Sequence, residues 1–313
     1  MRVASLFSGI GGLDLGFIRE DFEIVFANDN DKFAVKTYEH NYEFPILYKD
    51  ITEVEFDEIP EHEILIGGFP CQPFSMMGVE KGFDDTRGTL FFNIAEIIDY
   101  HIRNVRKPRV IVLENVRRLL THDNRNTFKV IKRVLEDLGY KVFYEVLNSA
   151  DYGVPQTRNR LFIVAFANHA AEFKFPPKQE LTLTMQDLLE HDVDEKYFLS
   201  ERIIPTILAH GCGNYYSKSE TDLEIARPLC ATMHKMHRAN QDNYVTQKGK
   251  LRRLTPREAA RLQGFPDDFE FPVSDTQAYR QCGNAVTVNV AEAVAKQVKI
   301  ALEELGEWHQ YQR

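Results

Sequence analysis

The sequence predicts a doubly wound α/β domain followed by a smaller, irregular one, and three features carry that prediction. From residue 2 to about 166, short apolar runs alternate with amphipathic stretches, the pattern of βα units in a parallel sheet. From about 186 to 275 the alternation fades into turn-rich text such as His210-Gly-Cys-Gly-Asn214. From Asn284 to Leu305, Val288, Ala291, Ala295, Val298 and Leu302 restore helical spacing, so the chain is expected to finish on a helix that returns to the first domain. The predicted boundaries are 1–185, 186–275 and 276–313.

The predicted strands, in order, are Arg2 to Phe7, Glu23 to Asn28, His62 to Gly67, Val110 to Glu114, Lys141 to Leu147 and Leu161 to Phe166. Each is a short apolar run of strand length. The clearest helix is expected over Thr127 to Leu138, where Phe128, Ile131, Leu135 and Leu138 fall on one face. Asn126 is the expected cap of its start, and Gly139 suits a left-handed stop.

A chain of 313 residues, 43% hydrophobic and 27% charged, can bury a real core without staples. Its longest aliphatic stretches, such as Val110 to Leu113, fall far short of a bilayer span. Membrane insertion and disorder are therefore not expected. The run Val3 to Phe17 is interrupted by Gly9, Gly11, Gly12 and Asp14 and reads as part of the fold rather than as a signal peptide. Cysteines at 71, 212, 230 and 282 form no CxxC pair and fit a reducing compartment. The net charge of −9 argues against a protein that coats nucleic acid, yet between Arg202 and Arg261 eleven basic residues face five acidic ones. One segment facing a polyanion would produce that asymmetry, and so would a solvated basic face.

The turn after the first strand reads Phe7-Ser8-Gly9-Ile10-Gly11-Gly12, with glycines that let backbone approach a ligand at the start of a helix. A dinucleotide fingerprint would place a third glycine where Asp14 stands, which disfavours a nicotinamide site. Asp29 ends the second strand and Asp50 follows what reads as a third. Together they point to an adenosine-containing ligand without a long phosphate chain. Further on, Gly67-Gly68-Phe69-Pro70-Cys71-Gln72-Pro73-Phe74-Ser75 places a cysteine between prolines just past a strand. Glu114-Asn115 ends another strand, and Gln156-Thr157-Arg158-Asn159-Arg160 precedes the last. Each alone fits a structural role: a small buried thiol, a strand-end turn, an ion pair. Together they bring a thiol, a carboxyl and two guanidiniums toward one crevice.

In this order the segments resemble the C5-cytosine DNA methyltransferases from end to end. Phe7-x-Gly9-x-Gly11 is similar to the family's cofactor motif, Pro70-Cys71-Gln72 to its nucleophile loop, Glu114-Asn115-Val116 to its acid motif and Gln156-x-Arg158-x-Arg160 to its arginine motif. Arg253 to Asp267 is similar to the segment supporting the recognition domain, and Gln281 to Val286 to the final motif. The resemblance implies a mixed sheet of Rossmann-like, S-adenosylmethionine-dependent type in 1–185, a target-recognition domain in 186–275, and a C-terminal helix. It implies cofactor contacts at Phe7, Gly9, Ile10, Gly11, Gly12, Asp29, Asn30, Asp50, Ile51, Phe69, Pro70, Leu90, Asn284 and Ala285. Asn30 stands where the family commonly has an aromatic residue. S-adenosyl-L-homocysteine would be the product, and no metal is expected.

The resemblance further implies that the Cys71 thiolate attacks cytosine C6, that Glu114 holds or protonates N3, that Arg160 bonds O2 and that Arg158 orders the site. No motif identifies the base that removes the C5 proton. The target must leave the duplex stack, and Ser75 to Gly88 reads as a lid over it. Expected DNA contacts are Ser75, Arg87, Gln156, Thr232, Lys235 and Arg238, with sequence reading by His210 to Lys218 and Thr232 to Gln241. The implied setting is a monomeric, cytoplasmic, bacterial or phage-encoded enzyme acting on duplex DNA, with a cognate restriction endonuclease as genetic partner and no membrane. Because the cofactor motif begins at residue 7, no regulatory N-terminal region is expected. Three alternatives remain at this point. They are an RNA cytosine methyltransferase sharing every motif, an idle family member that only binds DNA or regulates a partner, and a zinc module from His210-x-Cys212 and Cys230-x3-His234-x2-His237, whose spacing matches no familiar finger.

Overall fold

The computed structural model describes residues 1–70, 90–212 and 215–309. The chain begins β1 (Arg2–Leu6), α1 (Gly12–Arg19), β2 (Glu23–Asp29), α2 (Lys32–Asn41), β3 (Leu47–Tyr48), β4 (Ile64–Gly68) and α3 (Leu90–Asn104). It continues β5 (Val110–Val116), α4 (Asn126–Asp137), β6 (Lys141–Asn148) and β7 (Asn159–Phe166). These strands form one seven-stranded sheet in the order β3-β2-β1-β4-β5-β7-β6. Pairing is parallel from β3 through β5 and antiparallel between β5 and β7. The sheet is therefore mixed, and its doubly wound character matches the expectation.

Burial explains why these runs are strands. Ile64 to Ile66 and Val110 to Leu113 are fully buried, as strands covered on both faces must be. On α4 the buried positions Phe128, Ile131, Val134 and Leu135 sit three or four residues apart and supply its core-facing stripe.

Two local expectations change. Asn126 does not cap α4: it is the first helical residue, and the left-handed Arg125 precedes it with no side-chain cap. Gly139 is left-handed, as a stop requires. The helix expected over Asn284 to Leu305 is present but begins later, at Val288.

The chain divides into two compact units, Met1–Leu147 with Asn159–Pro177 and Val290–Arg313, and Asn148–Arg158 with Lys178–Asn289. The second unit thus starts earlier and ends later than 186–275, and it includes the short segment carrying Gln156 and Arg158. Its elements are α5 (Ile204–Ile207), β8 (Gly211–Cys212), β9 (Tyr215–Tyr216), β10 (Tyr244–Gln247), β11 (Lys250–Arg253), α6 (Pro256–Arg261) and α7 (Asp275–Asn284), after which α8 (Val288–Glu304) runs on into the first unit. Strands β8–β9 and β10–β11 are antiparallel hairpins. Lys248 and Gly249, with φ of 53° and 75°, make the two-residue turn of the second.

The break between α7 and α8 has a cause. The carbonyls of Gly283 and Ala285 accept hydrogen bonds from the Arg158 guanidinium, at 3.0 and 2.8 Å, instead of from the next helical turn. The helix ends at Ala285, whose ψ of 148° leaves the helical range, and Val288 begins the next one.

With so little regular structure, the second unit relies on polar networks. Arg252 and Glu258 pair at 2.7 Å with both side chains essentially inaccessible. Arg252 also donates to Gln247 and to the Arg253 carbonyl, so no charge in the pair is left without partners. Thr255 and Glu258 form a capping box that starts α6 with Pro256 at its first position. Among the described residues no helix is long and apolar enough to cross a membrane.

Candidate active site

At the carboxyl end of β1, Phe7, Gly9 and Gly11 are all left-handed, with φ of 55°, 58° and 78°. For Phe7, with its bulky side chain, that conformation is strained, and such strain concentrates where a loop is held for function. A side chain at Gly11 would collide with the Tyr42 ring, whereas Gly9 borders open space, with nothing within 4 Å of where a Cβ would lie. Asp29, at the end of β2, accepts the Gly9 N–H at 2.8 Å and the Asp31 N–H at 2.8 Å, fixing the loop to the neighbouring strand. Burial raises its pKa.

Asn30 is exposed, and its amide donates to Asp50 Oδ2 at 3.0 Å. Asp50 Oδ1 accepts from the Thr52 N–H and hydroxyl, and these donors hold the carboxyl below its ordinary range. Where an aromatic ring is common in the family, this chain has an amide that orients the next acidic group. The side chains of Ile10, Ile51 and Phe69 are buried, so they shape the loops from behind; Gly12 opens α1, and Leu90 opens α3 partly buried on the core. The open space beside Gly9, with the Asp29 and Asp50 carboxyls held in fixed orientations, leaves room for a ligand that approaches backbone closely and offers hydroxyls to carboxylates.

The acid and arginine motifs meet on adjacent strands. Glu114 lies within β5, which runs two residues further than expected, and Val116 is paired with Arg160 of β7. Reversal of β7 sets the start of one strand beside the end of the other. Arg160 Nε lies 3.1 Å from Glu114 Oε1, and Arg160 Nη1 donates to the Asn159 carbonyl. Glu114 is 8% exposed, so a group reaching it meets a carboxylate partly withdrawn from water. The Asn115 side chain donates to the Phe69 carbonyl at 2.8 Å, two residues before Cys71. Cys71, Ser75 and Arg87, and the predicted lid from Ser75 to Gly88, lie outside the described residues.

In the second unit Arg158 is 1% exposed and donates to the carbonyls of Leu229, Gly283 and Ala285. It orders backbone rather than presenting its charge. Gln156 is inaccessible: its amide donates to the Leu262 carbonyl and accepts the Leu229 N–H. Both ends being occupied inside the unit, it is corrected from a DNA contact to a structural residue. Asn284 is exposed at the end of α7 and Ala285 is buried. Thr232 and Lys235 are exposed and Arg238 half-buried, around a 3-10 turn at Met233–Lys235. Among the described residues no group of three or more His, Cys, Asp or Glu could hold a metal ion. His234 and His237 are engaged by the Ala231 carbonyl and by Asp242.

Sequence reasoning missed two residues. Asp14 registers there as an absent glycine and a break in an apolar run, yet it is fully buried and accepts from Ser5 Oγ and Tyr38 OH, each at 2.6 Å. Ser8 Oγ donates to Ser5, linking this network to the glycine loop. Its burial pushes the Asp14 pKa up to about 6. Asn115 appears in the sequence as a neighbour of Glu114, with nothing to indicate that its amide would hold the Phe69 carbonyl. A charged residue amid the apolar positions of α1 was the one available sign of the first.

The profile of the C-5 cytosine-specific DNA methylase family matches residues 1–300. Type II methyltransferase M.NlaX of Neisseria lactamica is 42% identical over 316 residues, covering 98% of this chain and 98% of that protein. Type II methyltransferase M.SsoII of Shigella sonnei is 43% identical over 319 residues, covering 96% of this chain and 81% of that one. In fold, the chain is similar to a solved mutant of DNMT2 from Spodoptera frugiperda, with a TM-score of 0.77, 21% identity, and 95% and 99% of the two chains covered. With a profile spanning nearly its whole length and relatives of this similarity, the chain belongs to the C-5 cytosine-specific DNA methylase family.

Proposed function

We propose that this protein transfers a methyl group from S-adenosylmethionine to C5 of a cytosine flipped out of a specific duplex DNA sequence, through a temporary bond between Cys71 and ring C6. The observation that carries the proposal is the Glu114–Arg160 pair, a carboxyl and a guanidinium held 3.1 Å apart on adjacent strands of the sheet. Cytosine C5 is a poor nucleophile, and attack by the Cys71 thiolate at C6 pushes electron density onto C5. Glu114 suits the ring N3, where it would hold or supply a proton as charge builds. Arg160 suits O2. Arg158 acts as a positioning residue through the three carbonyls it gathers.

S-adenosylmethionine, when bound, supplies the electrophilic methyl group and leaves as S-adenosyl-L-homocysteine. Phe7, Gly9, Gly11, Gly12, Asp29, Asn30 and Asp50 would hold it, with Ile10, Ile51, Phe69, Pro70 and Leu90 shaping the surrounding loops; Asn284 and Ala285 are assigned to it by the family resemblance alone. After transfer, a base takes the C5 proton and Cys71 departs as thiolate. Extruding the base costs a few kcal/mol, which binding to duplex DNA must offset. Ser75, Arg87, Thr232, Lys235 and Arg238 are the side chains assigned to that binding. The setting proposed is a cytoplasmic monomer whose gene accompanies that of a restriction endonuclease.

The test is a duplex carrying 5-fluorocytosine at the target, from which fluorine cannot leave as a proton does. With cofactor present, wild-type protein is expected to form an adduct that survives denaturation, and Cys71→Ser is expected to form none while still binding cofactor. A wild type that methylates plasmid DNA but forms no adduct would overturn the covalent route.

A further inference from the structure

We propose that His210 and Tyr216 form a base-reading unit, in which His210 Nε2–H donates to the major-groove edge of a guanine in the DNA sequence methylated. This rests on the DNA-methyltransferase reading above and names the contact that distinguishes one word from another.

The observation begins with two exposed rings. Tyr216 is 73% exposed, a large ring that contributes almost nothing to a core. It stacks on His210, with centroids 5.6 Å apart and planes 21° from parallel. An exposed imidazole is ordinarily free to rotate, but this one is held on its edge as well as its face. The Ser219 N–H donates to His210 Nδ1 at 3.1 Å, and Ser219 Oγ donates to the Ala209 carbonyl at 2.8 Å. The Ser217 N–H donates to the His210 carbonyl at 3.0 Å, closing the base of the β8–β9 hairpin. Face, edge and backbone are thus all fixed in a side chain that burial does not require.

The edge contact also decides the tautomer. A nitrogen that accepts a hydrogen bond carries no proton, so the neutral ring bears its hydrogen on Nε2. What His210 offers outward is therefore a single N–H donor in a set orientation. The major-groove edge of guanine presents two adjacent acceptors, N7 and O6, and no donor, so a lone N–H meets a partner there across a range of approach angles. Adenine offers N7 flanked by a donor, and cytosine offers only a donor on that edge. Thymine offers the single acceptor O4 beside its methyl group, so guanine, with two adjacent acceptors, is the base that this geometry favours over the other three. Tyr216, by holding the ring plane, sets the angle at which the donor arrives.

The experiment compares wild type, His210→Ala, His210→Gln and Tyr216→Ala. Methylated words are identified by bisulfite sequencing of a randomised duplex library, and kcat/KM is measured on duplexes in which each guanine in turn is replaced by 7-deazaguanine, which lacks N7, or by 2-aminopurine, which lacks O6. For wild type, one such replacement should lower kcat/KM by about 2- to 15-fold, the range of a single hydrogen bond. The same replacement should have no effect on His210→Ala, whose methylated words should vary at that base pair. His210→Gln, which keeps an N–H donor, should retain part of the preference, and Tyr216→Ala should weaken it. If His210→Ala methylates the same words and stays sensitive to every replacement that affects wild type, the proposal is overturned. If wild type methylates no DNA, the parent reading falls first, and that result is distinct from an unchanged word.

Discussion

Glu114 and Arg160, 46 positions apart in the chain, face one another at 3.1 Å because β7 runs antiparallel to β5. The distance between them is set by sheet register, so neither side chain depends on a flexible loop for its position. Glu114→Gln keeps the shape and removes the charge and the acidic proton. It should lower kcat by roughly 10²- to 10⁴-fold, the usual weight of a positioned acid or base, while DNA affinity changes little. Arg160→Lys loses the planar fork and should behave similarly. Single-turnover kinetics on saturating DNA would measure both, and a kcat within a few-fold of wild type would remove the pair from the chemistry.

Asn115 acts one step further back. Its amide fixes the Phe69 carbonyl, so Asn115→Ala should lower kcat by about tenfold or more, with KM for cofactor nearly unchanged, because a small displacement of a reacting group has a large effect on rate. A rise in KM with intact kcat would point to the cofactor loop instead.

Asp14 should make stability depend on pH in an unusual direction. Burial raises its pKa from 3.8 to about 6, so the folded state keeps a proton that the unfolded state releases first. As pH rises from about 4 to about 6, unfolding releases that proton and the folded state loses roughly 3 kcal/mol relative to a chain without the group. Asp14→Asn lacks the titration. Urea unfolding of both proteins between pH 4 and 7 should show the wild type losing ground to the variant by about that amount, and a difference flat with pH would contradict this.

Arg158→Met should leave three backbone carbonyls without their donor, destabilising the fold by about 3 kcal/mol or more at roughly 1 kcal/mol for each group. Thermal unfolding reads this directly. A variant as stable as wild type but inactive would return Arg158 to the chemistry.

Lys235 is exposed on the 3-10 turn, and Lys235→Ala should weaken all DNA sequences alike and reduce the salt dependence of binding by about one unit of slope. Arg238→Ala should instead change which words are methylated. Uniform weakening in the arginine variant would assign it to phosphate.

Much of this was legible in the chain. Strands such as Val110–Val116 announce themselves because a strand buried on both faces is a continuous apolar run. Strand direction is not written there: Asn159–Phe166 reads alike in either sense, and only the pairing with β5 reveals the reversal. The two-residue β3 is too short to carry a period. Polarity misled at Gln156, since an amide is taken for a surface group until its partners, the Leu262 carbonyl and the Leu229 N–H, are seen. Charge counting misled in the same way at Arg252, a basic residue enclosed with Glu258 and so unavailable to a polyanion. The glycine loop, by contrast, was readable because left-handed backbone selects residue type directly.

The backbone passes between the two units four times, at 147/148, 158/159, 177/178 and 289/290. Transplanting the second unit between relatives is therefore a two-piece operation. A graft of residues 178–289 alone would carry the Leu229, Gly283 and Ala285 carbonyls into a host whose own 148–158 segment supplies the guanidinium that binds them. Exchange of this unit by recombination is constrained to crossovers that move that eleven-residue segment with its partners, or to hosts that already have an arginine in register with them.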